Sequence, residues 1–227
     1  MKAKTEKPKI EYYGNGNVRY KEWIKNGRRH REDGPAVIYY YENENVSYKR
    51  WHKNGKFHRE NGPAYIEYYT DGSIKFKKWY KSNKLHREDG PAIIEYFHEN
   101  GNISCKHWFN NGEAYREDGQ PDCVQYHDNG KINCANWRSK DGKIHREDGP
   151  AVIFYNNDGS IKSKMWYFKD KQINPEDFLI NLPQTEKEKL KLINSFLFVK
   201  EGNTLIPIKK WLKNDEEFYH KYMMLFK

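Results

Sequence analysis

The stretch Trp51-His52-Lys53-Asn54-Gly55-Lys56-Phe57-His58-Arg59-Glu60-Asn61-Gly62-Pro63-Ala64-Tyr65-Ile66-Glu67-Tyr68-Tyr69-Thr70-Asp71-Gly72-Ser73-Ile74-Lys75-Phe76-Lys77-Lys78-Trp79 contains one full period of this chain. It begins and ends on tryptophan, and the spacing returns at Trp23, Trp51, Trp79, Trp108, Trp137 and Trp166, at intervals of 28 or 29 residues. A second motif keeps the same period: His30-Arg31-Glu32-Asp33-Gly34-Pro35-Ala36, then copies opening at His58, His86 and His145, with Tyr115 opening the fourth. Self-similarity at this length is the mark of a repeat architecture whose units bury their apolar faces only against neighbours.

Two turn signals divide each period. One is Asp71-Gly72, Asn100-Gly101, Asn129-Gly130 or Asp158-Gly159; the other is Asn26-Gly27, Asn54-Gly55, Asn111-Gly112 or Asp141-Gly142. Such pairs supply the positive φ that tight hairpins require. Between them β-formers alternate: Ala64, Ile66 and Tyr68 on one face of a strand, Tyr65, Glu67 and Tyr69 on the other, followed by a second strand from Ile74 to Trp79. The reading is therefore mainly β: an elongated antiparallel meander of repeated hairpins over residues 10–170, with five full units and a leading half, preceded by a flexible tail at 1–9. Two strands per unit imply a rise of ~10 Å per repeat, and strand twist implies a curved sheet.

Composition sets limits. Leu, Ile, Val and Phe supply only 43 of 227 residues, mean hydropathy is −1.16 and net charge is +9, a balance that by itself suggests disorder. Seven Trp, eighteen Tyr and eleven Phe argue for a fold in which aromatics take over work usually given to aliphatics. No stretch approaches the ~20 apolar residues of a spanning helix, and the start has no apolar core of a secretory signal. The three cysteines, Cys105, Cys123 and Cys134, are odd in number and show no metal-ligand spacing, which fits a reduced, cytoplasmic setting and small buried residues. Rich Lys, Asn, Ile and Tyr usage points to an AT-rich genome, with a viral host-interaction role as one expectation within that class.

The order Trp51, Gly55, His58, Gly62, Tyr68-Tyr69, Gly72 resembles the MORN-repeat family, and the resemblance recurs in every unit. The unit carries His-Arg-Glu-Asp-Gly-Pro where the family has a briefer His-Gly segment, so it is similar to MORN as a variant. The resemblance implies a curved β-meander acting as a scaffold or binding surface, membrane-lipid binding having been attributed to some members.

The His-Arg-Glu-Asp motif has the residue types of a catalytic or metal site, yet an active site needs unlike partners converging once. Repeated copies, with Tyr115 for His and Asn61 for Asp, read as structural turn chemistry. The expectation is a protein that is not an enzyme, with no metal and no cofactor. Its candidate ligand surface is a row of Trp23, Trp51 and Trp79 flanked at two-residue spacing by Lys21, Lys25, Lys49, Lys53, Lys77 and Lys81. A protein partner is the first expectation; an anionic ligand (nucleic acid, nucleotide or phosphoinositide, or an anionic lipid surface) is the alternative.

After Trp166 the period stops. Capping signals at Asn174, Thr185 and Asn214 predict a small α-helical cap over residues 171–227: a helix to about Leu182, one with Leu190, Ile193 and Leu197 on a face and closing near Gly202, and a last one. The last carries Phe218, Tyr219, Tyr222, Met223 and Leu225 as partner-docking candidates. The uncapped N-terminal edge leaves an edge-to-edge homodimer as an option.

Overall fold

The computed structural model describes residues 7–146, 149–173, 198–201 and 204–207. Its main body is one antiparallel sheet of thirteen strands in which spatial order follows chain order from edge to edge. The chain enters through Lys9–Tyr12 and Val18–Glu22. It continues as Val37–Tyr40 with Val46–Arg50, Tyr65–Tyr68 with Ile74–Lys78, Ile93–Tyr96 with Ile103–His107, Cys123–Tyr126 with Ile132–Asn136 and Val152–Tyr155 with Ile161–Phe168, and closes on Lys171–Ile173. The expected meander of repeated hairpins is therefore present, running slightly past both ends of 10–170. No helix among the described residues is long and apolar enough to cross a membrane.

The first turn signal joins the two strands of each hairpin. Tyr69 N donates to Ser73 O at 2.8 Å, Ser73 N to the Asp71 carboxylate at 2.8 Å, and Gly72 takes a φ of +89°. A register shift follows, between Ile74 and Phe76, and it recurs in the hairpins of the other units. The second turn signal does something else. It closes a separate short ribbon in the connection between units: Ile24–Lys25 with Arg28–Arg29, His52–Lys53 with Lys56–Phe57, and Tyr80–Lys81 with Lys84–Leu85. Both turn residues have positive φ (Asn54 +52°, Gly55 +83°), as a two-residue turn of this hand demands. Ser82 (+51°) and Asn83 (+71°) adopt the same shape without glycine, which is why the sequence pattern misses that turn.

Units are tied by bonds that repeat with the period. The hydroxyl of Tyr13 donates to Tyr40 O (2.7 Å), that of Tyr41 to Tyr68 O (2.8 Å) and that of Tyr69 to Tyr96 O (3.2 Å); in a later unit His127 Nε2 meets Tyr155 O at 3.1 Å. Asparagine amides bridge the turns likewise, Asn45 to Thr70 O (2.8 Å) and Asn102 to Asp128 O (2.9 Å). The ribbons are linked in the backbone, Gly55 N to Arg29 O and Gly112 N to Leu85 O, each 2.8 Å.

Burial departs from the expectation of one buried face. Ala36, Ala64, Ala92 and Ala151 are fully buried, but Ile66 and Tyr68 are only half-buried, because Ile66 is registered between Lys49 and Lys77. On the opposite face a chain of rings substitutes for an aliphatic core: Tyr39 stacks on Tyr48 at 5.2 Å, Tyr65 meets Phe76 edge-on at 5.1 Å, and Arg50 lies 4.2 Å from the Tyr48 centroid and 4.9 Å from that of Tyr65. Aromatic area and cation–π attraction thus supply what the missing Leu and Val do not.

Phe198–Glu201 pairs with Thr204–Pro207 as a two-stranded antiparallel hairpin. These strands fall where the helix expected from Thr185 would end near Gly202, and Phe198, Val199, Thr204 and Ile206 are aromatic and β-branched residues that favour extended backbone; the helix itself lies outside the described residues. The other expected helices of the 171–227 cap lie outside the described residues.

His52 is a position where this packing is pH-sensitive enough to measure. It is 4% exposed, sits 4.3 Å from the Phe57 ring and has no hydrogen-bond partner at either nitrogen. Burial, helped by Arg29 and Arg50, pushes its pKa down from 6.5 to about 4. The folded state therefore binds fewer protons than the unfolded one between those values, so stability falls as pH drops through that window. His52→Phe, which copies Phe109 in a sister unit, should remove about 2–3 kcal/mol of that acid-side loss in denaturant melts at pH 7 and pH 4. An unchanged pH slope would place the sensitivity elsewhere.

Candidate binding surface and a buried Cys-His cluster

The arginine of each His-Arg-Glu-Asp motif folds back over the tryptophan of its own unit. Arg31 lies 4.1 Å from the Trp23 ring centroid, Arg59 4.1 Å from Trp51, Arg87 4.4 Å from Trp79, Arg116 4.4 Å from Trp108 and Arg146 4.1 Å from Trp137. The rest of the motif serves this stack. Asp33, Asp89 and Asp118 accept the arginine Nε of their units at 2.8–2.9 Å, and the carboxyls are held below their usual range by that bond. In the unit of Arg59, Asn61 occupies the position of that carboxylate, and burial holds Arg59 below its ordinary value. The glycine makes room: a Cβ at Gly34 would stand 3.0 Å from Arg31 Cζ, and one at Gly62 3.2 Å from Arg59 Cζ. The proline carbonyl takes another guanidinium bond, at 3.4 Å for Pro35 and 3.2 Å for Pro63.

The glutamate collects the remaining charges. Glu32 receives Lys25 (3.9 Å) and His30 (3.4 Å), Glu60 receives Lys53 (3.6 Å) and His58 (3.8 Å), and Glu88 receives Lys81 (3.3 Å) and His86 (3.4 Å). Bonding to His86 and then Lys81 holds the Glu88 carboxyl below its usual value. The histidine also couples units, His30 Nδ1 accepting Asn54 N at 3.1 Å and His86 Nδ1 accepting Asn111 N at 3.3 Å.

The row of tryptophans with co-facial lysines is accordingly split. Lys21, Lys49 and Lys77 lie in sheet strands over the rings of Tyr40 (5.4 Å), Tyr68 (5.6 Å) and Tyr96 (5.3 Å). Lys25, Lys53 and Lys81 lie in the ribbons beyond the tryptophan, on the glutamates. Extended-strand periodicity stops at residues such as Glu22, Arg50 and Lys78, where the sheet strands end, so the two lysines of a triplet do not share one strand. Trp23, Trp51 and Trp79 are half-buried. Phe218, Tyr219, Tyr222, Met223 and Leu225 lie outside the described residues.

Between successive motifs run equivalent clefts. The first, of about 620 Å³, is lined by Arg31, Glu32, Trp51, Lys53, Arg59 and Glu60 among others; the next two, of about 670 and 550 Å³, repeat it around Trp79 and Trp108. Their walls carry both signs of charge.

A different kind of site interrupts the period. Cys105 and His107 on one strand and Cys123 on the next place Sγ, Nε2 and Sγ within 4.8 Å of one another. Cys105 Sγ is 3.0 Å from His107 Nε2 and 4.0 Å from Cys123 Sγ. Cys105 and Cys123 are buried and His107 is half-buried. Next to it, Asp122 replaces the buried alanine of other units. It pairs with Arg138, and burial pushes it up to about 6. Cys134 lies apart, hydrogen-bonded to Asn136 at 3.2 Å. Sequence spacing does not reveal the three-residue group because strand register, with His107 opposite Cys123, brings it together. Compared with known protein families and with curated protein sequences, the chain matches none.

The Arg–Trp stacks are open to a direct test. A double-mutant cycle on Trp51→Ala and Arg59→Ala, read in denaturant melts, should give a coupling of about 0.5–1.5 kcal/mol. His30→Tyr, which reproduces Tyr115, should cost under ~1 kcal/mol because one inter-unit bond is lost and the stack is kept. Zero coupling between Trp51 and Arg59 would make the stack incidental.

Proposed function

We propose that the chain is a MORN-like, non-catalytic platform that binds a protein partner across its row of inter-unit clefts. The single observation that carries this reading is the repetition itself: three equivalent, mixed-charge clefts at unit spacing along one continuous sheet. An extended surface of matching clefts suits an extended polypeptide better than a small substrate, which needs one convergent pocket. The tryptophans offer rigid aromatic contact area and the arginines above them a planar donor set, the side chains most often found at the energetic centre of protein interfaces. A cytoplasmic setting goes with this reading, supported by three thiol cysteines.

The competing class, an anionic ligand on a Lys–Trp face, draws support from the net charge of +9. Against it stands the internal use of the six lysines, three over tyrosine rings and three on glutamates. A chain with a photo-crosslinking residue at Asn61, inside the first two clefts, should capture a partner that the same residue at Arg19 does not. Affinity for that partner should fall about tenfold in Glu60→Lys with Glu88→Lys. It should be nearly unchanged, with the same salt slope, in the Lys21→Gln, Lys49→Gln, Lys77→Gln triple variant, whose lysines line none of the three clefts. A weakened, salt-flattened response of the triple variant would hand the function to an anionic ligand.

A further inference from the structure

We propose that Cys105, His107 and Cys123 form a binding site for a single borderline-soft divalent metal ion of the zinc class, with three protein ligands from two adjacent strands. The first support is chemical. Two thiolates and one imidazole are the donor set that zinc takes, and with three protein ligands the fourth tetrahedral position is left for water or another small donor. The second is geometric. Tetrahedral zinc with Zn–S of about 2.3 Å sets its sulfurs about 3.8 Å apart. The two sulfurs here stand 4.0 Å apart, and the 3.0 Å sulfur–nitrogen contact needs to open by about half an ångström, within a side-chain rotation.

The third support comes from the repeat. The positions held by Cys105, His107 and Cys123 hold Tyr20, Glu22 and Val37 in the first unit, Tyr48, Arg50 and Tyr65 in the second, and Phe76, Lys78 and Ile93 in the third. In the unit that follows they hold Cys134, Asn136 and Val152. Ring packing that runs from Tyr20 to Phe76 on this face stops where the cluster begins. Three residues that break the period at one place, and there converge unlike ligands, meet the criterion that the repeated His-Arg-Glu-Asp motif fails. A metal here would also tie the Ile103–His107 strand to the Cys123–Tyr126 strand across the stretch where aromatic packing is lost.

The test uses the full chain, purified reduced and without chelator. Titration with Zn²⁺ alone should saturate at one ion per chain and raise the melting temperature by roughly 5 °C or more at a metal concentration a hundred times Kd. Co²⁺ in its place should give the strong visible bands and the near-ultraviolet charge-transfer band of tetrahedral cobalt with thiolate ligands. Cys105→Phe, His107→Lys and Cys123→Ile, singly, install the side chains of the third unit, so the fold is kept. Each should weaken Zn²⁺ by more than about a hundredfold, beyond the loss expected of an outer-shell partner. Cys134→Ser should bind as the parent does. Three results would overturn the site: no binding at micromolar Zn²⁺, a Co²⁺ spectrum without the thiolate band, or equal dependence on Cys134. A Cys105–Cys123 disulfide that persists in the purified chain under reducing conditions would overturn it as well, making the pair a redox couple.

Discussion

Among the described residues the thirteen-stranded sheet has no helix packed on it and is covered only by the short inter-unit ribbons, whose Phe57 reaches Tyr65 and Arg50, and much of the composition follows from that constraint. A strand pair in such a layer leaves its side chains half in water, where aliphatic residues gain only part of their burial energy. Aromatic and long basic side chains suit this position. They cover one another laterally, the rings contributing area and the cations keeping their charged ends wet. The low aliphatic content and the abundance of Tyr, Trp, Lys and Arg are thus one adaptation to a single-layer architecture.

Within that frame the Arg–Trp stack explains a motif that otherwise looks like chemistry. The arginine covers the ring, the aspartate aligns the guanidinium, the glycine leaves space for it, the proline carbonyl accepts from it, and the histidine and glutamate bind the neighbouring unit and the ribbon lysine. Each contact is individually small, about 0.5–2 kcal/mol. Their repetition makes every unit depend on the next, so stability is shared along the array rather than concentrated in a core.

The fourth unit departs from this scheme on both faces at once. Asp122 stands in place of a buried alanine, with Oδ2 paired to Arg138 and Oδ1 buried without a partner, and on the opposite side two cysteines and a histidine stand where others have rings, cations and aliphatics. Repetition makes such departures readable: in an irregular domain the same three residues would have no background against which to stand out.

The period, the strand alternation, the glycine-marked turns and the meander were legible in the sequence, because each is set by local backbone preferences and by side-chain alternation within a few residues; the Ser82-Asn83 turn, which lacks glycine, was not. The strand boundaries beside Trp23, Trp51 and Trp79 were not. Ending a sheet strand one residue before each tryptophan depends on the backbone bond from that tryptophan to the alanine of the next strand, thirteen residues on for Trp23, Trp51 and Trp79. A second backbone bond, from His30 N to Trp23 O and likewise from His58 to Trp51 and His86 to Trp79, brings the arginine motif back to the ring. The Cys105, His107 and Cys123 group was likewise hidden, since its members are brought together by inter-strand register and not by spacing along the chain. What the sequence by itself determined is the repeating unit; which side chains meet across units was decided by the pairing of strands, because only the hydrogen-bonded register converts a separation of sixteen or eighteen residues into contact.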